Sequence, residues 1–380
     1  MKKILFIHQS SELYGSDKTL LSFLSNYNKS LLIPIVILPV EGLLKTEIEK
    51  LNIECHVIPV MKLHRKMFTF FNLFNFLNMY FYSIKKLKNL HSINNFDTVY
   101  SNTISVLIGF FFSKINKIHH IWHVHEIIDN SIIIKKIFTY FLSNKSNNLL
   151  IFNSRSTQEF WNITTIKNEV IWNGVYPPEE SNRAETERVR KDFFHTSDAI
   201  CIGLVGRINR WKGQNLLLNA FEKLKKIHEK ILLIYIGSAP QGQEYLESEL
   251  KKNIEKKGLK NFVRHIPFQS DIYPFQKALD IIVVPSTEPE PFGLVAIEGM
   301  FAKKPVVAAN HGGLKEIVVD SETGFTFSPG SENELFFCLE KLILSSTLRI
   351  KFGENGFKRA NQLFSLDTYV KNIENAVLNS

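Results

Sequence analysis

The densest run of chemistry-bearing residues is Val283-Val284-Pro285-Ser286-Thr287-Glu288-Pro289-Glu290-Pro291-Phe292-Gly293-Leu294-Val295-Ala296-Ile297-Glu298. Its apolar start reads as a strand ending at Pro285, and the prolines then punctuate a loop that carries Glu288 and Glu290. Helical periodicity resumes with Leu294 and Ile297. Glu290 is therefore expected in a loop and Glu298 inside the helix that follows. Free N–H groups of Gly293, Leu294 and Val295 at that helix start suit a phosphate, and the two carboxylates accept hydrogen bonds from hydroxyls on either side of it. A sugar joined through phosphates to a ribose fits this arrangement.

Two other turns share one layout. Ile4 to His8 leads into Ser10-Ser11-Glu12-Leu13-Tyr14-Gly15-Ser16-Asp17-Lys18, and Cys201 to Val205 leads into Gly206-Arg207-Ile208-Asn209-Arg210-Trp211-Lys212-Gly213. Each is a strand, a glycine-bearing polar turn with a lysine, then an apolar helix whose free N–H groups and dipole attract an anion. Polar glycine-bearing turns are common between strands and helices, so neither turn is decisive alone. Met61 to Leu90 mixes Phe68, Phe70, Phe71, Phe74, Phe76, Tyr80, Phe81 and Tyr82 with Lys62, Arg65, Lys66, Lys85, Lys86 and Lys88. That mixture suits an anionic membrane surface or a lipid-linked substrate; a core-packed helix pair is the competing reading.

The elements that must position these residues follow from the patterning. Short apolar runs alternate with longer amphipathic stretches, the pattern of strand–helix–strand units in a parallel sheet. In the first half the expected strands are Ile4–His8, Ile33–Leu38, Cys55–Pro59, Thr98–Ser101, His119–Val124 and Asn148–Phe152. In the second they are Ile200–Val205, Ile231–Ile236, Val263–His265, Ile281–Pro285 and Pro305–Ala308. Tyr176-Pro177-Pro178-Glu179-Glu180-Ser181-Asn182 is charged, proline-marked and aperiodic, so the domain junction is expected there, between a domain of residues 1–175 and one of 176–365.

The 380 residues are 44% hydrophobic and 22% charged, enough for two ordinary domains and neither disordered nor collagen-like in composition. Lys plus Arg is 46 against 37 for Asp plus Glu, and the net +9 favours anionic partners. Cys55, Cys201 and Cys338 are far apart and form no zinc-ligand spacing, so a reducing, cytoplasmic setting is expected. No apolar run reaches the ~18 residues of a spanning helix.

The second half resembles the retaining family-4 glycosyltransferases of the GT-B type. The resemblance rests on an ordered set: Val205-Gly206-Arg207 with Lys212-Gly213, Tyr235-Ile236-Gly237, Glu290-Pro291-Phe292-Gly293 through Glu298, Pro305-Val306-Val307, Gly312-Gly313-Leu314-Lys315-Glu316-Ile317 and Thr323-Gly324-Phe325. Trp172-Asn173-Gly174-Val175 and Trp122-His123-Val124-His125-Glu126 extend it thinly into the first half. The resemblance implies two Rossmann-like doubly wound domains facing each other across a cleft, with the final helix, residues 366–380, packing back on the first. Arg207 and Lys212 would bind the donor diphosphate, Glu298 the ribose and Glu290 the hydroxyls of the transferred sugar. His125 and the Gly15-Ser16 turn would face the sugar from the first domain. Only one of His123 and His125 is expected on the cleft side.

Three departures stand out: Gly15-Ser16 replaces the usual pair of glycines, Gly299 and Phe301 replace alanine, and Lys303 stands where glycine commonly ends the helix. The implied activity is metal-independent hexosyl transfer from a nucleotide sugar to a hydroxyl of a glycan or lipid-linked acceptor, in cell-surface polysaccharide, lipopolysaccharide or capsule biosynthesis. The absence of any Asp-x-Asp pair agrees with a metal-free site. Peripheral contact with the inner face of an anionic membrane goes with this reading. A nucleotide-sugar epimerase or glycogen-type synthase on the same plan is one rival. A basic nucleic-acid-binding protein is another, but the chain carries no recognition motif for it.

Overall fold

The computed structural model describes residues 1–60, 70–128, 131–176 and 183–380; side chains of residues 70–77 fall outside the description. The chain divides into two compact units, Met1–Gly174 with Leu366–Ser380, and Val175–Ser365.

Seven strands build the first unit: β1 (Lys2–His8), β2 (Leu32–Leu38), β3 (Glu54–Val57), β4 (Thr98–Asn102), β5 (His119–Val124), β6 (Leu149–Phe152) and β7 (Asn168–Val170). They lie in the order β3-β2-β1-β4-β5-β6-β7 and every pairing is parallel. Central strands read as unbroken apolar runs because helices cover both faces, so Ile4 to Ile7 and Ile35 to Leu38 are all buried. Strand order reverses between β1 and β4, and the carboxyl ends of these two strands flank the switch point at which such sheets bind ligands. The helix Leu366–Leu378 belongs to this unit. Tyr369, Val370, Ile373 and Val377 share a core with Phe6, Phe23 and Tyr100, and Lys2 Nζ donates to the helix-end carbonyls of Val377 (3.0 Å) and Leu378 (3.1 Å).

Six strands build the second unit: β8 (Ile200–Val205), β9 (Ile231–Ile236), β10 (Val263–Ile266), β11 (Ile281–Val284), β12 (Val306–Ala309) and β13 (Gly324–Phe327). The order β10-β9-β8-β11-β12-β13, again all parallel, places the switch point between β8 and β11. The expected pair of Rossmann-like units is present. The edge strands β7 and β13 are additions to the expected set.

Two expected features take a definite form. The charged stretch after Tyr176 leads into the helix Arg183–Val189 and a π-helical turn, Arg190–Phe194, whose Val189 and Phe194 are buried in the second unit. Lys303 does adopt the left-handed conformation usually left to glycine (φ 58°). The helix Leu294–Phe301 closes there through Lys303 N–H to Met300 O and Lys304 N–H to Gly299 O.

Of Met61 to Leu90, residues 61–69, with Lys62, Arg65, Lys66 and Phe68, lie outside the described residues. The helix Phe70–Asn94 buries Ser83, Ile84 and Leu87 while Phe81 (65% exposed), Tyr82 (51%) and Lys85, Lys86 and Lys88 remain outside. Among the described residues no helix is long and apolar enough to cross a membrane.

Candidate functional site

In the second unit the expected residues sit on the loops that leave β8 and β11, the strands on either side of the switch point, and on the helix Leu294–Phe301 that follows the second loop. Contacts too close for any side chain hold these loops together. Thr287 N–H donates to Trp211 O (2.7 Å), and a Cβ on Gly213 would lie 2.0 Å from Pro285 O, so only glycine, here at φ 79°, fits before the helix Gln214–Lys225. Asn209 Oδ1 accepts from Lys212 N–H (2.8 Å), and Gln214 Nε2 donates to Arg207 O (2.9 Å), which fixes the backbone under both cations.

Lys212 Nζ lies 2.7 Å from Glu290 Oε1, with both side chains largely withdrawn from solvent, and Ser286 Oγ donates to the same oxygen. The Lys212 ammonium also sits 4.4 Å above the Trp211 ring. Glu290 is anchored through its main chain, since Gly313 N–H donates to Glu290 O (2.7 Å) and a Cβ on Gly312 would stand 2.1 Å from that oxygen. His311 Nε2–H donates to Ser286 O (2.8 Å) and steadies the residue before the loop. Burial lowers the His311 pKa and outweighs that bond and the Glu290 charge, so the ring is a neutral donor here.

Gly293, at φ 128°, precedes the helix Leu294–Phe301 and leaves the N–H groups of Leu294 and Val295 at its open end. Glu298, in the second turn, meets buried Gln276, whose Nε2 donates to Glu298 Oε2 (3.3 Å). The structure thus brings Lys212 and Glu290 into direct contact and gives Glu298 a separate partner. Ser286, His311 and Gln276 had no recognisable sequence signal, because each acts across 4 to 25 residues of chain on a partner that only the fold supplies.

In the first unit Gly15, at φ 37°, and Ser16 begin the helix Gly15–Asn26, and the space where a Gly15 Cβ would stand is open. Asp17 Oδ2 accepts from Tyr14 N–H (3.1 Å) and Ser10 Oγ (3.2 Å), while Asp17 Oδ1 lies 2.6 Å from His8 Nε2 at the end of β1. Asn102, at the end of β4, reaches both histidines: its Nδ2 is 3.0 Å from His8 Nδ1 and its Oδ1 is 2.8 Å from His125 Nε2. His123 and His125 lie on one face, not on opposite faces as the expectation that only one of them is on the cleft side supposed, and His123 is wholly buried with its Nδ1 2.8 Å from Tyr100 Oη. Residues two apart on a strand share a face, and the rings lie 3.9 Å apart, centroid to centroid.

Burial holds His120 down to about 4 and His123 to about 3, and it lowers His125 well below its ordinary value with the help of His123 and His8. Desolvation pushes Glu126 up to about 7 against hydrogen bonds from the Ile104 and His125 N–H groups and Thr103. His120, His123 and His125 are therefore neutral imidazoles that donate and accept, rather than imidazoliums.

The description of the glycosyl transferases group 1 family matches residues 185–359, most of the second unit. A D-inositol 3-phosphate glycosyltransferase of Corynebacterium jeikeium is 35% identical over 179 residues, 46% of this chain and 42% of that protein. The capsular polysaccharide biosynthesis glycosyltransferase CapM of Staphylococcus aureus is 32% identical over 169 residues, 44% of this chain and 43% of CapM. The chain spans less than half the length of these two relatives. Anabaena HepE, solved in complex with UDP and glucose, superposes over 100% of both chains with a TM-score of 0.86 and 26% identity. The two parallel-sheet α/β units match GT-B glycosyltransferase structures in fold.

Proposed function

From the match of residues 185–359 to the glycosyl transferases group 1 family we propose that the chain transfers a sugar from a nucleotide-sugar donor to an acceptor hydroxyl with retention at the anomeric carbon. The observation that carries this reading is the convergence of Arg207 and Lys212, Glu290, and the helix start at Gly293 on the two loops of one switch point, with Lys212 Nζ 2.7 Å from Glu290.

The chemistry follows from charge. As the bond from the anomeric carbon to the diphosphate breaks, negative charge grows on the phosphate oxygens and positive character grows on the sugar. Arg207, Lys212 and the N–H groups of Gly293, Leu294 and Val295 stabilise the first, and Glu290 the second, without reorganising. The acceptor oxygen forms the new bond on the face the diphosphate leaves, and its proton passes to a departing phosphate oxygen. No protein nucleophile is required, and the fixed cations make a metal ion unnecessary. Glu298, held by Gln276, takes the ribose hydroxyls, and His125 takes a hydroxyl of the reacting sugars.

HepE in complex with UDP and glucose supports a nucleoside diphosphate sugar as donor. CapM, named for capsular polysaccharide biosynthesis, supports a cell-surface glycan as acceptor. The exposed Phe81, Tyr82, Lys85, Lys86 and Lys88 support a peripheral contact with an anionic membrane that carries a lipid-linked acceptor.

The test is incubation of the purified chain with a panel of α-linked nucleotide sugars and lipid-linked or free-sugar acceptors, followed by proton NMR of the product. An α-linked product with release of nucleoside diphosphate is expected. A β-linked product, or epimerised nucleotide sugar formed without acceptor, overturns the proposal.

A further inference from the structure

Four side chains form an unbroken line through the interior of the first unit. Asp17 Oδ1 lies 2.6 Å from His8 Nε2, His8 Nδ1 lies 3.0 Å from Asn102 Nδ2, and Asn102 Oδ1 lies 2.8 Å from His125 Nε2. All four are buried. They come from the helix start Gly15–Asn26 and from the ends of β1, β4 and β5, so the line runs across the switch point of the first sheet.

The hydrogen-bonding inventory gives this line a direction. An ionised carboxylate only accepts, so the proton between Asp17 and His8 sits on His8 Nε2. A neutral imidazole with its proton there has a lone pair on Nδ1, which accepts from the amide nitrogen of Asn102. The amide is thereby turned with its oxygen toward His125, and an oxygen there requires the proton on His125 Nε2. Nδ1 of His125 is then the ring's acceptor. His123, buried with its ring 3.9 Å away and neutral, backs the His125 ring and leaves no charge beside it to favour the other form.

We propose that Asp17, His8 and Asn102 are positioning residues that set the tautomer of His125, so that it presents Nδ1 as an acceptor to a substrate hydroxyl. The link to substrate rests on the functional reading above; the tautomer chain itself does not. A second arrangement is within reach, because the Asn102 main-chain carbonyl lies 3.2 Å from His8 Nδ1 and would receive a proton placed there. The carboxylate of Asp17 decides between the two, three groups away from the ring it controls.

Asp17→Asn tests this with nearly the same shape. Tyr14 N–H can only donate, so the new amide keeps its oxygen on the Tyr14 and Ser10 side and turns its NH2 toward His8 Nε2. His8 must then accept at Nε2 and carry its proton on Nδ1, Asn102 must turn over, and His125 must become the Nδ1–H form. Asn102→Asp separates the links, since it offers oxygens to both rings: His8 becomes doubly protonated while His125 keeps its Nε2 proton.

The readout is two-dimensional NMR of the full chain labelled with 15N-histidine, with the His8 and His125 signals assigned from His8→Gln and His125→Gln. The expected result is both rings in the Nε2–H form in the unaltered chain, both switched to Nδ1–H in Asp17→Asn, and the mixed pattern in Asn102→Asp. His125 in the Nδ1–H form in the unaltered chain, or unmoved in Asp17→Asn while His8 switches, overturns the proposal. Sugar transfer is measured on the same samples. A roughly tenfold or greater fall in the catalytic constant of Asp17→Asn, the scale of one lost hydrogen bond to a reacting group, is expected. Switched tautomers with transfer unchanged would instead remove His125 from substrate contact and leave the tautomer chain standing.

Discussion

Glu290 and Glu298 stand eight residues apart, yet their partners give them different work. Glu290 shares Lys212 and Ser286, whereas Glu298 is held by Gln276; in the proposed function the first faces the charge that develops on the sugar and the second meets a ribose that changes little during reaction. Glu290→Gln is therefore expected to lower the catalytic constant roughly ten- to hundredfold, the equivalent of about 1.5–3 kcal/mol for a charge-assisted hydrogen bond, with affinity for free nucleoside diphosphate kept. Freeing Lys212 from its carboxylate favours that retention. Glu298→Gln is expected to weaken donor binding on the same scale with a smaller change in the catalytic constant. Steady-state kinetics and calorimetry on both variants check the split; loss of nucleotide binding in Glu290→Gln with turnover intact would reverse it.

The buried histidines give a second expectation at this scale. His120, His123 and His125 stay neutral in the fold but bind protons near 6.5 when unfolded, so stability is lost as pH falls below 6.5 toward 4. Glu126 has the opposite sign, because its folded pKa of about 7 lies above the unfolded value and adds stability as pH falls from 7 toward 4.5. Three groups against one leave a net loss. The thermal midpoint should therefore be lower at pH 5 than at pH 7, and His120→Gln, which keeps partners for Ser101 and Asn147, should lessen the fall. A midpoint that rises on acidification contradicts the assignment. The placement of Glu290 in a loop and of Glu298 in the helix after it was legible in the motif, but the Lys212–Glu290 contact was not, since 78 residues of chain separate the partners.

At the scale of elements, eleven of the thirteen strands are written in short apolar runs bounded by polar turns, and their ends fall within two residues of expectation. The two that escaped are edge strands. β7 is Asn168-Glu169-Val170, too short and polar for any periodicity, and β13 is held by Gly324, whose place beside Val306 O admits no Cβ (1.9 Å) and which reads in sequence as a turn. Close backbone approach also predicts the most sensitive substitution outside the charged groups. Gly213→Ala places a methyl against Pro285 O in a left-handed conformation, so it must part the β8 and β11 loops. A loss of more than about 1 kcal/mol is expected from the backbone strain alone. Donor binding should fall with it, as thermal unfolding with and without nucleotide would show. Unchanged stability and binding would mean that the loops are not held at that contact.

For the whole molecule, a +9 chain carries more cationic charge than the proposed donor site uses. Replacing Lys85, Lys86 and Lys88 with Gln should reduce binding to anionic liposomes, most at low salt, while liposome binding that stays unchanged would remove the proposed membrane contact. The central claim concerns the second unit: its loops after β8 and β11 bind a donor diphosphate with side-chain cations and a helix start, without a metal. Calorimetric titration of the full chain with UDP, GDP, ADP, CMP and dTDP in excess EDTA tests it most directly. At least one of these nucleotides should bind in EDTA, with affinity reduced roughly tenfold or more in both Arg207→Ala and Lys212→Ala, the scale of one lost charge-assisted contact. Binding that requires an added divalent ion, or that is the same in both variants as in the unaltered chain, would contradict the account.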